Sequence, residues 1–223
     1  MNTFKNAQRV QESFLSGLEK KTLVRLAQRT PAFINSDHLT ALGLVAMFGA
    51  GFGYWVAGSH PALGLSLATL CLALNWLGDS LDGTLARVRN KLRPRYGFYV
   101  DHVVDMLGAL FLLGGLALSG YMSAPVAGGL VIAFLMLSIN SYLATYTMGK
   151  FQISFGGFSP TELRILLAIG NVFLFWKPHT VLFGQRFLLF DAGGVAGIVG
   201  MTVLLIALIA RNTAQLYREE PIA

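Results

Sequence analysis

The stretch NWLGDSLDGTLARVRNKLRPRYGFYVDHVVD, Asn75 to Asp105, sets four aspartates (Asp79, Asp82, Asp101 and Asp105) at the ends of two strongly apolar segments. Charge within a membrane span is costly, so such residues point to function. On a helix, Asp79, Asp82, Gly83, Ala86 and Arg87 fall at i, i+3, i+4, i+7 and i+8, which is one face. Gly97, Asp101, Asp105 and Gly108 repeat at steps of four and three, again one face. The short basic linker Val88–Tyr96 between the two faces predicts an antiparallel hairpin with its helices side by side. Four carboxylates meeting in a partly dehydrated site repel one another unless cations neutralise them. With only oxygen ligands, the choice falls on a hard ion, Mg²⁺ or Mn²⁺. Two such ions ~3.5–4 Å apart form the clamp used for in-line phosphoryl displacement.

The rest of the composition points to a membrane. The chain has 223 residues, of which 54% are hydrophobic and 13% charged, too apolar for an ordinary soluble domain. Held to ~20 residues each, the apolar runs predict six spans, near Leu39–Val56, Ala62–Leu81, Phe98–Leu118, Ala124–Met148, Glu162–Trp176 and Gly193–Ala210. Gly-Ser-His-Pro around Ser59, Ser119-Gly120 and Gly156-Gly157 supply turns. Ser159-Pro160-Thr161-Glu162 reads as a capping box. Ahead of the spans, Met1–Thr30 carries Val10, Phe14 and Leu18 at i+4, then Leu23 and Leu26, among Lys5, Arg9, Lys20, Lys21, Arg25 and Arg29. That pattern predicts an amphipathic interfacial helix, packed on lipid or on its own protein. The expected fold is therefore all-α and integral to the membrane, with an N-terminal interfacial helix (1–30) and one six-helix domain (31–223). Met1–Arg29 has no apolar core of the kind a cleavable signal needs. Cys71, the single cysteine, is read as core filler.

Lys and Arg set the expected orientation. With the N-terminus inside, only Lys177 and Arg186 fall outside, so both termini and the acidic site are expected to be cytoplasmic. The net charge of +6 is read toward anionic lipid headgroups rather than nucleic acid, because the cations flank apolar spans.

The spacing Asp79-x2-Asp82-Gly83-x2-Ala86-Arg87-x9-Gly97-x3-Asp101-x3-Asp105 resembles the signature of CDP-alcohol phosphotransferases in every fixed position. Members of that family move a phosphatidyl or phosphoalcohol group from a CDP-linked donor to an alcohol and release CMP, and are typically homodimers. The resemblance implies that Asp79, Asp82 and Asp101 are metal ligands. It implies too that Asp105 touches a second ion and acts as general base on the acceptor hydroxyl. Gly83 and Ala86 would let the nucleotide lie against the helix, and Arg87 would contact its phosphates. The residues agree, since small side chains one turn apart leave a groove and a guanidinium suits phosphate.

Other positions carry two readings each. Related enzymes have Pro-Asn-x-x-Thr before the first span. Here Thr40 is kept and Asp37 stands where Asn is expected, so both are candidate nucleotide contacts, or Ser36 or Asp37 is simply an N-cap. Arg93 is a candidate donor contact within a loop (Arg89, Lys91, Arg93, Arg95) that positive-inside orientation also explains. Asn75, one turn before Asp79, is read as bonding a metal-ligating carboxylate or a neighbouring backbone. His102 after Asp101, and Glu162 after Thr161, look like the choline/ethanolamine phosphotransferase branch, in which they would assist deprotonation. Their other readings are packing and capping. Arg164 is read as lining an acceptor pocket or bonding between helices.

Two donors fit these features: CDP-diacylglycerol with a small polar alcohol, which is favoured, and CDP-choline or CDP-ethanolamine with diacylglycerol. A divalent-cation transporter is the rival from another class. It would place its carboxylates near the bilayer midplane on several helices, whereas these cluster at one edge.

Overall fold

The computed structural model describes residues 8–10, 16–152 and 160–222. Among the described residues seven helices dominate: α1 (Ser16–Arg29), α2 (Ser36–Ala57), α3 (Pro61–Val88), α4 (Pro94–Ser119), α5 (Ala124–Met148), α6 (Pro160–Leu174) and α7 (Leu189–Glu219). Helices α2, α3, α4, α5 and α7 are long and apolar enough to cross a bilayer. Their outward faces carry exposed large apolar groups such as Phe48, Leu70, Leu118, Ile139 and Ile206, which only lipid can cover along whole helices. The protein is thus an all-α integral membrane protein. The expected fifth span is helical too. As α6 it has 15 residues, roughly 22 Å at 1.5 Å per residue, short of the ~30 Å hydrocarbon core.

At the N-terminus the expected single helix is replaced in part. Gln8–Val10 (β1) pairs in parallel with Lys150–Gln152 (β2), so its backbone groups are satisfied by a ladder rather than by helical bonds. Lys5, Phe14, the Gly156-Gly157 turn and Ser159 of the expected capping box lie outside the described residues. Pro160 does open α6, as a first-turn proline should. Between α6 and α7 an antiparallel hairpin, β3 (His179–Leu182) and β4 (Gln185–Leu188), replaces an unpatterned loop.

The expected side-by-side hairpin of the two acidic helices is not what forms. Helix α2 packs along both α3 and α4, and these two scarcely touch each other. The cause is the glycine pattern of α2 and its partners. A Cβ at Gly51 would run into the Phe111 carbonyl of α4, and one at Gly115 into the Gly51 backbone. On the other side, a Cβ at Gly78 of α3 would sit 2.6 Å from the Leu39 carbonyl. Backbone-to-backbone approach of this kind maximises dispersion contact where lipid offers no hydrophobic drive between helices. Since α2 takes both contact faces, α3 and α4 are held apart, and a cleft opens between their acidic ends.

Around that wedge, Ala50 and Tyr54 of α2, Leu65, Ala68 and Leu72 of α3, and Leu112 and Leu116 of α4 form the core, with Cys71 buried beside them as expected. Tyr54 donates to Asn171 Oδ1 at 2.9 Å and Asn171 Nδ2 donates to Thr69 at 3.0 Å, a polar chain that ties α6 to α2 and α3. On the outside, Leu137 of α5 packs with Leu205 and Leu208 of α7. Helix α1 turns Leu23 and Ala27 onto Leu81 and Leu85 of α3, so its apolar side is seated on protein.

The turn into α2 is built by residues other than those expected. Asn35, not Ser36 or Asp37, is the N-cap: its side chain accepts from the His38 amide at 2.9 Å, and its own amide donates to His38 Nδ1 at 3.3 Å. The extended backbone at Asn35 starts the helix one residue early, which releases Ser36 and Asp37 for other partners. Arg89 closes the same corner, donating to the carbonyls of Thr30, Pro31 and Ile34. It is therefore a bracket as well as a flanking charge.

Candidate active site

Helix α3 continues past its apolar span to Val88, so Asp79, Asp82, Gly83, Ala86 and Arg87 all ride on one regular helix. The chain then reverses through Asn90, whose backbone is left-handed (φ 54°), a conformation asparagine tolerates better than most residues. Pro94 starts α4, which presents Asp101 and Asp105.

All four aspartates line one cleft. Thr40 and Gly43 of α2, Asn75 of α3 and Arg164 of α6 line it with them. Its volume is about 30 Å³, room for two or so water-sized bodies at roughly 10–15 Å³ each. That suits ions and a reacting phosphate. Beyond the cleft, there is open space beside Gly83 of α3 and Gly97 of α4. A Cβ at Gly83 would meet nothing nearer than the Arg87 guanidinium at 3.8 Å, and at Gly97 nothing within 4 Å.

Partners inside the cleft are specific. Arg164 donates to Asp79 Oδ2 at 2.5 Å, with both side chains largely shielded from solvent. The Thr40 hydroxyl lies 2.6 Å from Asp82 Oδ2 and 3.0 Å from the Ser36 carbonyl. It has one proton, and the shorter, charge-assisted contact is the stronger. Asn75 is 4% exposed. Its amide nitrogen donates to the Gly43 carbonyl at 2.9 Å, so of its two readings it follows the second and bonds a neighbouring backbone. The reason is the close α2–α3 crossing at Gly43 and Gly78, which brings that carbonyl within reach. Asn75 Oδ1 is buried without a hydrogen-bond donor.

These groups fit a hard divalent ion. Every candidate donor is an oxygen, and a buried acceptor with no donor is served by a cation or a water. Among the described residues no three acidic, histidine or cysteine side chains form a closed ion cage. Asp79 is turned to Arg164 and Asp82 to Thr40, so ion binding calls for these side chains to re-aim.

The remaining candidates separate. His102 lies off the cleft, its Nδ1 2.5 Å from the Phe98 carbonyl and its ring against Phe98 and Tyr142 at 4.2 and 4.8 Å. It is one residue, about 100° of helix, from the Asp101 face. Glu162 sits in the first turn of α6 and is likewise not part of the cleft wall. Asp37 pairs with Arg93, whose guanidinium also lies 4.1 Å over the Tyr96 ring. Arg87 Nε donates back to the Gly83 carbonyl at 3.0 Å. Sequence reasoning did not find Glu19, which accepts hydrogen bonds from α3 and α6 just behind the site. An acidic residue in a basic amphipathic helix gives no signal of its own.

Comparison with known proteins adds a second line. A family model described as CDP-alcohol phosphatidyltransferase matches residues 35–210. The chain is similar to an archaetidylinositol phosphate synthase of Pyrococcus horikoshii, 27% identical over 139 residues, covering 62% of this chain and 66% of that protein. It is similar also to an uncharacterized protein of Aquifex aeolicus, 32% identical over 114 residues, covering 49% of this chain and 57% of that one. Each match spans less than two-thirds of the relative's length.

Proposed function

The chain belongs to the CDP-alcohol phosphatidyltransferase family, and from that premise we propose that it moves a phosphatidyl group from a CDP-linked lipid, CDP-diacylglycerol in the favoured form, to an alcohol hydroxyl with release of CMP. The observation that carries this reading is the meeting of all four signature aspartates in one small cleft at the end of a membrane bundle. Asp79, Asp82, Asp101 and Asp105 would hold two Mg²⁺ or Mn²⁺ ions, which when bound neutralise the donor diphosphate and the departing phosphate.

The chain's own residues supply the rest. Arg87, beside the open groove at Gly83, grips the donor phosphates, and Ala86 leaves room for the nucleotide. Thr40 holds Asp82 in place. Asp105 takes the proton of the acceptor hydroxyl as its oxygen bonds to the donor's β-phosphorus. The bond from that phosphorus to the CMP oxygen breaks, and CMP leaves with the electron pair. Arg164 places a fixed positive charge where the acceptor enters. Likeness to a synthase whose product is an inositol phosphate lipid supports a polyol or polyol-phosphate acceptor. The aminoalcohol alternative leaned on His102 and Glu162, neither of which lines the cleft. For the transporter alternative the carboxylates would need a path across the bilayer, and they sit together at one end of α3 and α4. The site and both termini face the cytoplasm in this reading, where soluble CMP can leave, and the protein works as a homodimer.

The test is CMP release from vesicles holding the purified protein. CDP-diacylglycerol or CDP-choline is offered with a panel of alcohols, with Mg²⁺, Mn²⁺ or chelator. Release with the lipid donor, dependent on divalent ion and a hydroxyl compound, is expected. Release from CDP-choline alone, or divalent-ion flux without CMP, overturns the proposal.

A further inference from the structure

We propose that Glu19 is a positioning residue that sets Arg164 against Asp79 by latching three helices together at the back of the site. The proposal rests on the reading above for its consequence in turnover, but not for the latch itself.

Three donors converge on one carboxylate oxygen. Glu19 Oε1 accepts from Trp76 Nε1 at 2.8 Å, from Ser80 Oγ at 3.2 Å and from Thr161 Oγ1 at 3.0 Å. Trp76 and Ser80 are one turn apart on α3, and Ser80 adjoins Asp79 on the side away from the cleft. Thr161 is in the first turn of α6, three residues before Arg164, so the two share a side of that helix. The contacts close a circuit, from Glu19 to α3, through Asp79 to Arg164, and along α6 to Thr161 and back to Glu19.

Without Glu19 the start of α6 loses a charge-assisted tie. The Arg164–Asp79 pair, three residues on from Thr161, then lacks the Glu19 brace behind it. A loosened first turn moves Arg164 by a distance that matters, because ~1 Å of misplacement in a reacting site costs on the order of 10²-fold in rate. Glu19 itself does not line the cleft, so its influence runs through Arg164. Helix α1, seated on Leu81 and Leu85, thereby becomes part of the support of the site.

The experiment uses the full-length protein in vesicles and two independent readouts. The first is amide hydrogen exchange over residues 160–166. Glu19→Ala should speed exchange there several-fold, while Glu19→Gln, which keeps an oxygen acceptor, stays near wild type. Unchanged exchange in E19A overturns the latch, whatever reaction the protein performs. The second is turnover, with kcat and acceptor KM measured separately. E19A should lower kcat ~10- to 100-fold with E19Q recovering most of it, and the loss should vanish on an Arg164→Gln background. The same fold-loss in both backgrounds overturns action through Arg164. If E19A does not fold, Thr161→Val removes one donor at nearly constant shape and takes its place in both readouts. A wild type that releases no CMP from any donor sinks the functional reading and leaves the exchange result to decide the latch.

Discussion

Arg164 donates to Asp79 across 85 positions of sequence, at 2.5 Å, and so ties α6 to the acidic face of α3. A guanidinium beside four aspartates lowers the cost of gathering them. Its planar fork also suits an anionic substrate oxygen. Arg164→Ala should therefore cost roughly 10²–10³-fold in kcat/KM, the range seen when one preorganised charge-stabilising donor is lost. Arg164→Lys should recover part of that, since it restores the charge without the fork. Steady-state CMP release checks both, and an R164A rate within a factor of two of wild type removes Arg164 from the site.

Asp105 and Asp79 should fail differently. Asp105→Asn keeps size and hydrogen bonding but cannot take a proton, so it should bind CDP donor near normally and turn over at under ~1% of the wild-type rate, in line with loss of a general base. Asp79→Asn and Asp82→Asn should lose divalent-dependent donor binding itself. Equilibrium binding of a CDP donor, measured beside turnover, separates these outcomes. A D105N variant with near-normal turnover would reassign the base.

Removing divalent ions should act on stability as well as on rate. A ligand that binds only the folded state stabilises it by RT ln(1 + [L]/Kd), ~2.7 kcal/mol at one hundred times Kd. The unfolding temperature should rise on titrating Mg²⁺ or Mn²⁺, and this rise should be absent in D79N. An equal rise in that variant would mean that the ions bind elsewhere.

Gly51 and Gly115 should tolerate no side chain. Either Gly→Ala change forces α2 and α4 apart, because a Cβ at each position meets backbone rather than a flexible side-chain end. Overpacking of this kind costs ~1–3 kcal/mol. Thermal unfolding in detergent should show G51A and G115A clearly destabilised, whereas Gly114→Ala, with nothing within 4 Å, should be near neutral.

Arg89 should prove structural. Arg89→Ala removes the side chain that bridges the carbonyls of Thr30, Pro31 and Ile34 at the α1–α2 corner, at roughly 1.5–3 kcal/mol for hydrogen bonding to a charged group. Limited proteolysis should cut faster between Thr30 and Asn35 in R89A. Lys91→Ala, changed in the same loop, serves as the control that should leave cleavage unchanged.

Much of this molecule is local and was therefore legible. Apolar run length located α2 to α5 and α7, and α5 begins and ends where its run does. The i, i+3, i+4 spacing placed the aspartates on shared faces, because a helix fixes its own angular order whatever surrounds it. Thr40 was singled out only by likeness to the Pro-Asn-x-x-Thr of related enzymes, and its contact with Asp82 depends on how α2 packs on α3. The N-cap reading, Ser36 or Asp37, fell one or two residues late, since Asn35, Ser36 and Asp37 are all good caps and only the extended backbone at Asn35 chooses among them. His102 carried a catalytic and a packing reading, and one residue of helix turns its ring onto Phe98 and Tyr142.

By itself the sequence determined the membrane class, the helices and the acidic signature on two of them, because hydropathy and periodicity are properties of each segment alone. Only the tertiary structure decided that α2 stands between α3 and α4, that Arg164 meets Asp79, and that Glu19 gathers Trp76, Ser80 and Thr161. The physical reason is that helix-to-helix choice depends on where backbones can approach. Gly51 and Gly115 permit that approach in space, while neither one's position in the chain says which partner it will meet.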